Sequence, residues 1–274
     1  MRGRTAYDIG FGTSRSKRTR SDARSASLPA RPAAFVAVCV IVAAACLSPS
    51  RILAQDSANS RDPSVIVAFG DSTTAPRGAL RVYADIIRDE LPKRGIDAEV
   101  FNAGVGGNHT AAARKRFERD VLERRPDVVI IQFGINDSAV DVWKKPPATK
   151  PRVSLKRYEE NLRYFVRSIR QAGAKPLLMT PNPLRWTPKL KKLYGKPPYD
   201  ADDEDGFNVL LENYAEKVRE IARDVEVPLI DIWKAMQPKA DALLLDGMHP
   251  NTKGQALVAE RLLPQIRGIL QDGR

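Results

Sequence analysis

Short apolar runs alternate along the chain with segments whose apolar residues recur every three or four positions. The runs are Val65–Phe69, Ala98–Asn102, Val128–Phe133, Pro176–Thr180 and Val227–Asp231. Several are β-branched and end in Gly, Asn or Asp, as strands do. Between them lie helical patterns. One joins Leu80, Tyr83, Ile86, Ile87 and Leu91, in a helix expected to start near Gly78 and closed by a basic turn and Gly95. A second covers Ala111–Arg124. A third runs through Tyr158, Leu162, Phe165, Val166 and Ile169 and stops at Gly173, and Phe207–Ala222 and Ala256–Leu270 repeat the pattern. Strands alternating with helices predict parallel strands joined by crossover helices. Strands that are almost continuously apolar predict a sheet covered on both faces. The expectation is one doubly wound α/β domain with five strands and about five helices.

Two stretches interrupt this rhythm. Residues 141–153 contain three prolines and four basic residues, and residues 181–206 contain five prolines, Trp186 and two tyrosines. Both follow the carboxyl end of a predicted strand, where such sheets bind ligands. Arg185 and Trp186 are therefore candidate substrate contacts, whereas the acidic run Asp200–Asp205 reads as a solvated face.

The amino-terminal region differs from the rest. Residues 1–32 are basic, small and without apolar period, and Ala33–Leu47 are uncharged and mostly apolar. Fifteen residues are short for a membrane span, which needs about 20. A basic stretch, a short apolar core and a plausible cut after Ala54 are the ingredients of a signal peptide. The alternatives are an uncleaved anchor through residues 33–47 or, less in keeping with the alanines before it, lipidation at Cys46. On this reading residues 1–54 are a leader, 55–63 a linker and 64–274 the domain. The leader also changes the charge argument. Of 45 basic and 33 acidic residues it holds 9 and 2, which leaves 36 and 31, a net +5. No arginine-rich helix remains, and nucleic-acid binding is not expected. Both cysteines, Cys39 and Cys46, lie in the leader, so the domain uses no disulfide and no thiolate.

The chemistry begins where the first apolar run breaks, at Gly70-Asp71-Ser72-Thr73. Ser72 is too early to cap the following helix, which leaves a turn-stabilising residue or a nucleophile. A nucleophilic serine needs a base, a group that orients the base, and oxyanion donors. The chain has two histidines. His249 stands three residues after Asp246, so the carboxylate can reach Nδ1 within one turn and leave Nε2 free. It reads either as that base or as a surface-loop histidine. His109 reads as a substrate contact or a surface residue, with the second preferred. The Asn102–Thr110 stretch has three glycines, which let a backbone N–H approach a reacting atom, and Asn136 could offer its amide as a further donor. Each of these two segments is also an ordinary turn.

Taken in order, Gly-Asp-Ser, the glycine-rich Asn-x-Gly-x-x-Gly-Asn, Gly-x-Asn-Asp and Asp-x-x-His resemble the SGNH, or GDSL-type, hydrolase family over residues 65–255. Its Ser, Gly, Asn and His match Ser72, Gly107, Asn136 and His249. Gly107 is preferred to Gly104 and Gly106 because it fits the ending of its block, and Thr73 stands where the family name has leucine. The resemblance implies a flavodoxin-like α/β/α fold with a five-stranded parallel sheet, and an ester hydrolase. Ser72 would attack the ester, His249 would move the proton and Asp246 would orient His249. Ser72, Gly107 and Asn136 would hold the oxyanion, with Asn108 a possible substrate contact and Asp71 bracing the turn. No cofactor and no metal are implied. Inserts rich in Lys, Pro, Trp and Tyr suit sugars better than acyl chains. The expectation is an exported carbohydrate O-acetylesterase. A lysophospholipase or thioesterase and a non-catalytic carbohydrate-binding scaffold are the alternatives.

Overall fold

The structure, a computed structural model, describes residues 62–272. The leader and most of the linker lie outside them. Five strands form one parallel sheet: β1 (Ser64–Gly70), β2 (Ala98–Gly104), β3 (Val128–Gln132), β4 (Lys175–Met179) and β5 (Leu229–Ile230). Their order is β2-β1-β3-β4-β5, the flavodoxin-like arrangement. The order reverses direction between β1 and β3, so the carboxyl ends of β1, β2 and β3 meet at the switch point.

Side chains alternate across a strand, and β1 shows what each face packs. Val67 and Phe69 join a core with helices α2 (Leu155–Gln171) and α3 (Leu211–Asp224) through Tyr158, Phe165 and Tyr214. Ile66 and Ala68 join the other core with α1 (Tyr83–Glu90) and α4 (Thr252–Asp272) through Ile87, Val258 and Leu262. The first core is aromatic. Phe69, Phe117, Phe133 and Phe165 pack with ring centroids 4.9–6.3 Å apart, the offset and tilted geometry that aromatic rings prefer. These three layers are the expected α/β/α sandwich.

Several expected boundaries shift. The first helix starts at Tyr83 rather than near Gly78, because Arg77 and Leu80 close a tight bridge first. The segment 111–124 is not one helix. It breaks into Thr110–Ala113, Phe117–Asp120 and a 3₁₀ turn, Leu122–Arg124. Arg116 stands at the break, and its guanidinium binds the carbonyls of Gly70 (2.9 Å) and Ala103 (2.7 Å), near the ends of β1 and β2. α3 starts at Leu211 instead of Phe207, which stacks on Trp186. β5 keeps two residues because Asp231 turns away to cap the next helix, accepting from the Lys234 N–H at 3.0 Å.

Candidate active site

Ser72 sits on the turn that follows β1, and polar contacts fix this turn on all sides. The Asp71 carbonyl accepts from the N–H groups of Thr74 (3.3 Å) and Ala75 (3.0 Å). The Asp71 carboxyl Oδ1 accepts from the Thr73 N–H at 2.9 Å and lies 2.9 Å from the Thr73 hydroxyl. Gln255 of α4 bonds the Thr73 carbonyl (3.3 Å) and also accepts from the Tyr83 N–H (2.8 Å), tying the turn to α1. Burial pushes the Asp71 carboxyl up, and the Thr73 bonds only partly offset this. Asp71 thus serves the turn rather than facing substrate.

β2 ends against this turn. A Cβ on Gly104 would lie 2.3 Å from the Ala75 nitrogen and 2.6 Å from the Thr74 carbonyl carbon, so only glycine permits the approach. Gly104 gives its N–H to Asn102 Oδ1 (2.9 Å), and Val105 gives its N–H to the Gly70 carbonyl (3.1 Å). Among the described residues the N–H groups of Ser72, Gly106 and Gly107 have no acceptor. Gly107 has φ +71°, a left-handed conformation that glycine adopts without strain.

His249 reaches the same point from the loop before α4. Its Nε2 is 2.9 Å from Ser72 Oγ, across 177 residues of sequence. Its Nδ1 is 3.0 and 2.9 Å from the two Asp246 oxygens, and its own N–H donates to Asp246 Oδ1 at 2.9 Å. Asp246 therefore holds both ring and backbone of the residue three positions on. Partial burial pushes its carboxyl up, but the bonds from His249 and Met248 outweigh this, and its pKa lies below the ordinary carboxylate value. An ionised acceptor at Nδ1 selects the tautomer with the proton on Nδ1 and a lone pair on Nε2 facing Ser72. The loop is pinned from behind by Asn182 Nδ2 on the Met248 carbonyl (3.0 Å) and by the Arg185 N–H on the Gly247 carbonyl (2.8 Å).

Asn136 lies after β3 on the short turn Ile135–Ser138, buried. Its Nδ2 is 3.5 Å from Asp71 Oδ2 and its Oδ1 accepts from Arg152 Nη1 at 2.9 Å. Asp137, the next residue, is fully buried. Its Oδ1 accepts from the Thr110 N–H (2.8 Å) and hydroxyl, which fastens the Asn136 turn to the end of the glycine-rich loop. Burial pushes Asp137 up to about 7, against the Thr110 bonds and with a smaller push from Asp71. A small cavity of about 30 Å³ opens beside Asn136, between Arg152, Met248, Tyr199, Phe207 and Leu211.

The remaining sequence candidates fall elsewhere. Arg185 and Trp186 read as substrate contacts, but packing within and against the second insert takes up both. The Arg185 guanidinium is buried on Asp205 (2.8 Å) and on the carbonyls of Leu184 and Gln237. Trp186 stacks on Phe207 (4.4 Å, 12°) and gives its indole N–H to the carbonyls of Asp200 and Asp203. Asn108 spends its side-chain oxygen on Arg116 Nε (2.8 Å). His109 caps the turn Thr110–Ala113, accepting from the Ala112 N–H at 3.2 Å. Partial burial, with Arg152 and Lys115 nearby, lowers its pKa and keeps it neutral for that role. Sequence reading missed Arg152, Asp137, Gln255 and Asn182. No local spacing marks them, since each acts on a residue 16 to 182 positions away or across two loops.

Comparison with known proteins bears on the family and the fold. The model of the GDSL-like lipase/acylhydrolase family matches residues 68–257. An uncharacterised lipoprotein of Bacillus subtilis, YqeF, is 35% identical over 217 residues, 71% of this chain and 86% of that protein. An acetylxylan esterase of Geobacillus stearothermophilus is 26% identical over 199 residues, 69% of this chain and 80% of the other. The crystal structure of a lipase/acylhydrolase from Enterococcus faecalis superposes with a TM-score of 0.60 at 27% identity, covering 75% of this chain and 96% of that one. With its five-stranded parallel sheet and a serine, an imidazole and a carboxylate aligned at the switch point, the chain belongs to the GDSL-like lipase/acylhydrolase family and is a serine carboxylic-ester hydrolase.

Proposed function

We propose that this protein removes O-acetyl groups from carbohydrate outside the cytoplasmic membrane, through an acyl-enzyme on Ser72. Ser72 Oγ attacks the ester carbonyl while His249 Nε2 takes its proton, over the 2.9 Å that separates them. Asp246 holds the imidazole in the receptive tautomer and stabilises the imidazolium that forms. The N–H groups of Ser72 and Gly107 and the Nδ2 of Asn136 receive the oxyanion. His249 then returns the proton to the leaving sugar hydroxyl. Water, activated by the same imidazole, releases acetate and restores Ser72.

The observation that carries the substrate reading is the cavity beside Asn136. At about 30 Å³ it favours a small acyl group over a long chain, and its lining includes Asn136 and Met248, the residue before His249. The acetylxylan esterase relative supports the same class. The test is hydrolysis of p-nitrophenyl acetate, p-nitrophenyl decanoate and acetylated xylo-oligosaccharides by residues 55–274 and by Ser72→Ala. The acetates should be cleaved, and cleavage should disappear in Ser72→Ala. Faster cleavage of decanoate would favour a lysophospholipase or thioesterase. No labelling of Ser72 by a fluorophosphonate would return the non-catalytic carbohydrate-binding scaffold.

Export rests on the basic and apolar leader and is supported by the lipoprotein relative. That relative favours a second form of the reading, in which Cys46 carries the lipid. Fatty-acid labelling of the full chain that disappears in Cys46→Ala would establish it. Unlabelled protein released to the medium would establish cleavage instead. No helix among the described residues is long and apolar enough to cross a membrane.

A further inference from the structure

The first insert, residues 141–153, is stitched to the turn that carries Asn136. The Arg152 N–H donates to the Ala139 carbonyl (3.0 Å) and the Val153 N–H to the Asp137 carbonyl (3.1 Å). The Ala148 N–H donates to the Asp141 carbonyl (3.2 Å), so the insert closes on itself as well. Within it, Arg152 is gripped by Asp141. Its Nε lies 3.1 and 3.2 Å from the two carboxylate oxygens and its Nη2 lies 2.7 Å from Oδ1. Asp141 is buried, and Lys144 holds its other oxygen at 2.7 Å. Burial alone would raise the Asp141 carboxyl, but the two cations hold it below the ordinary range. This pairing leaves Arg152 Nη1 pointing at one acceptor, Asn136 Oδ1, at 2.9 Å.

An asparagine amide has two faces of opposite chemistry. Its NH₂ donates and its oxygen accepts, and a half-turn about the last bond exchanges them. A flipped Asn136 would present an oxygen lone pair to the developing oxyanion, which repels it. Guanidinium has donors only and stays protonated at any working pH. A guanidinium at 2.9 Å therefore admits just one orientation of the amide, with Oδ1 toward Arg152 and Nδ2 toward the Ser72 turn. The cation also draws electrons toward the amide oxygen and makes the N–H groups stronger donors.

We propose that Arg152 is a positioning residue for ester hydrolysis: held by Asp141, it locks and polarises the Asn136 amide so that Nδ2 faces the oxyanion. The first insert is then a buttress behind the oxyanion site. This inference rests on the proposed role of Asn136.

A double-mutant cycle on p-nitrophenyl acetate tests it. Asn136→Ala should lower kcat by about 10²–10³-fold. Arg152→Met should lower kcat by about 10- to 100-fold, within that ceiling, and leave KM within about threefold, the pattern of an interaction made only in the transition state. Arg152→Lys, which also has donors only, should recover part of the loss. In the Asn136→Ala background, Arg152→Met should cost no further rate beyond about twofold, because interacting residues are not additive. Full additivity of the two losses would overturn the inference and leave the role of Asn136 standing. An unchanged kcat in Asn136→Ala would overturn both. Should Arg152→Met not fold, Asp141→Asn and Arg152→Lys carry the same cycle, with smaller losses that must again vanish in Asn136→Ala.

Discussion

The turn from Asp246 to His249 and the turn from Ile135 to Ser138 both reach the Asp71-Ser72 turn, yet they are built in different ways. The first is open and local. The Asp246 side chain is 47% exposed, and its partners are the backbone and ring of residues two and three positions on. The second is buried and assembled from afar. Asn136 and Asp137 depend on Asp71, Thr110, Arg152 and, through Arg152, Asp141. The first turn would move a proton, which needs an imidazole with freedom to reprotonate. The second would hold a negative charge, which needs donors already fixed before the charge arrives.

The difference predicts opposite responses of rate and stability. Ser72→Ala and His249→Ala should each lower kcat by about 10⁶-fold, and Asp246→Asn by about 10⁴-fold through the wrong tautomer. All three should unfold within about 0.5 kcal/mol of the parent in urea, since partly exposed positions carry little of the fold. A large stability loss in any of them would erase the contrast between the turns. On the buried side, Asp71→Ala should destabilise by about 1–3 kcal/mol, because it leaves the buried Thr73 N–H without its partner. Its urea midpoint should fall at an unchanged m-value.

The smallest expected effect is a pH slope. Asp137 is raised from 3.8 to about 7 by burial, so the native chain binds its proton more tightly than the unfolded chain does. The corresponding stability is full at low pH and is lost as pH rises through about 7. Asp137→Asn keeps an oxygen acceptor for Thr110 and has no charge to bury. Its melting temperature should therefore fall less between pH 5 and pH 8 than that of the parent. Parallel slopes would mean that Asp137 does not titrate in this range.

The contrast between the two turns also explains what was legible. Asp246 and His249 are three residues apart, so one turn of chain brings them together and the spacing reveals the pair. The five apolar runs likewise carry their periodicity in sequence, and the sheet follows from it. Taken alone, the Asn136 segment reads as a turn, and only the order of the four blocks singles out its amide. The single helix expected at 111–124 fails for a related reason. Its apolar period is real, but the segment breaks where the Arg116 guanidinium reaches the carbonyls of Gly70 and Ala103, a contact that local helix propensity does not report. Trp186 and Arg185 looked available because composition cannot tell an aromatic that faces a ligand from one stacked on Phe207.

Local patterning alone reveals the alternation of strands and helices, the α/β class, and the pairing of Asp246 with His249. These depend on short-range periodicity and on residue chemistry, which are written locally. Tertiary structure alone decided that Ser72 Oγ and His249 Nε2 stand 2.9 Å apart and that the N–H of Gly104 is already spent. It also decided that an arginine from a proline-rich insert sits behind Asn136. Each of these depends on where distant segments meet once both faces of the sheet are packed. No pattern within a few residues carries that information.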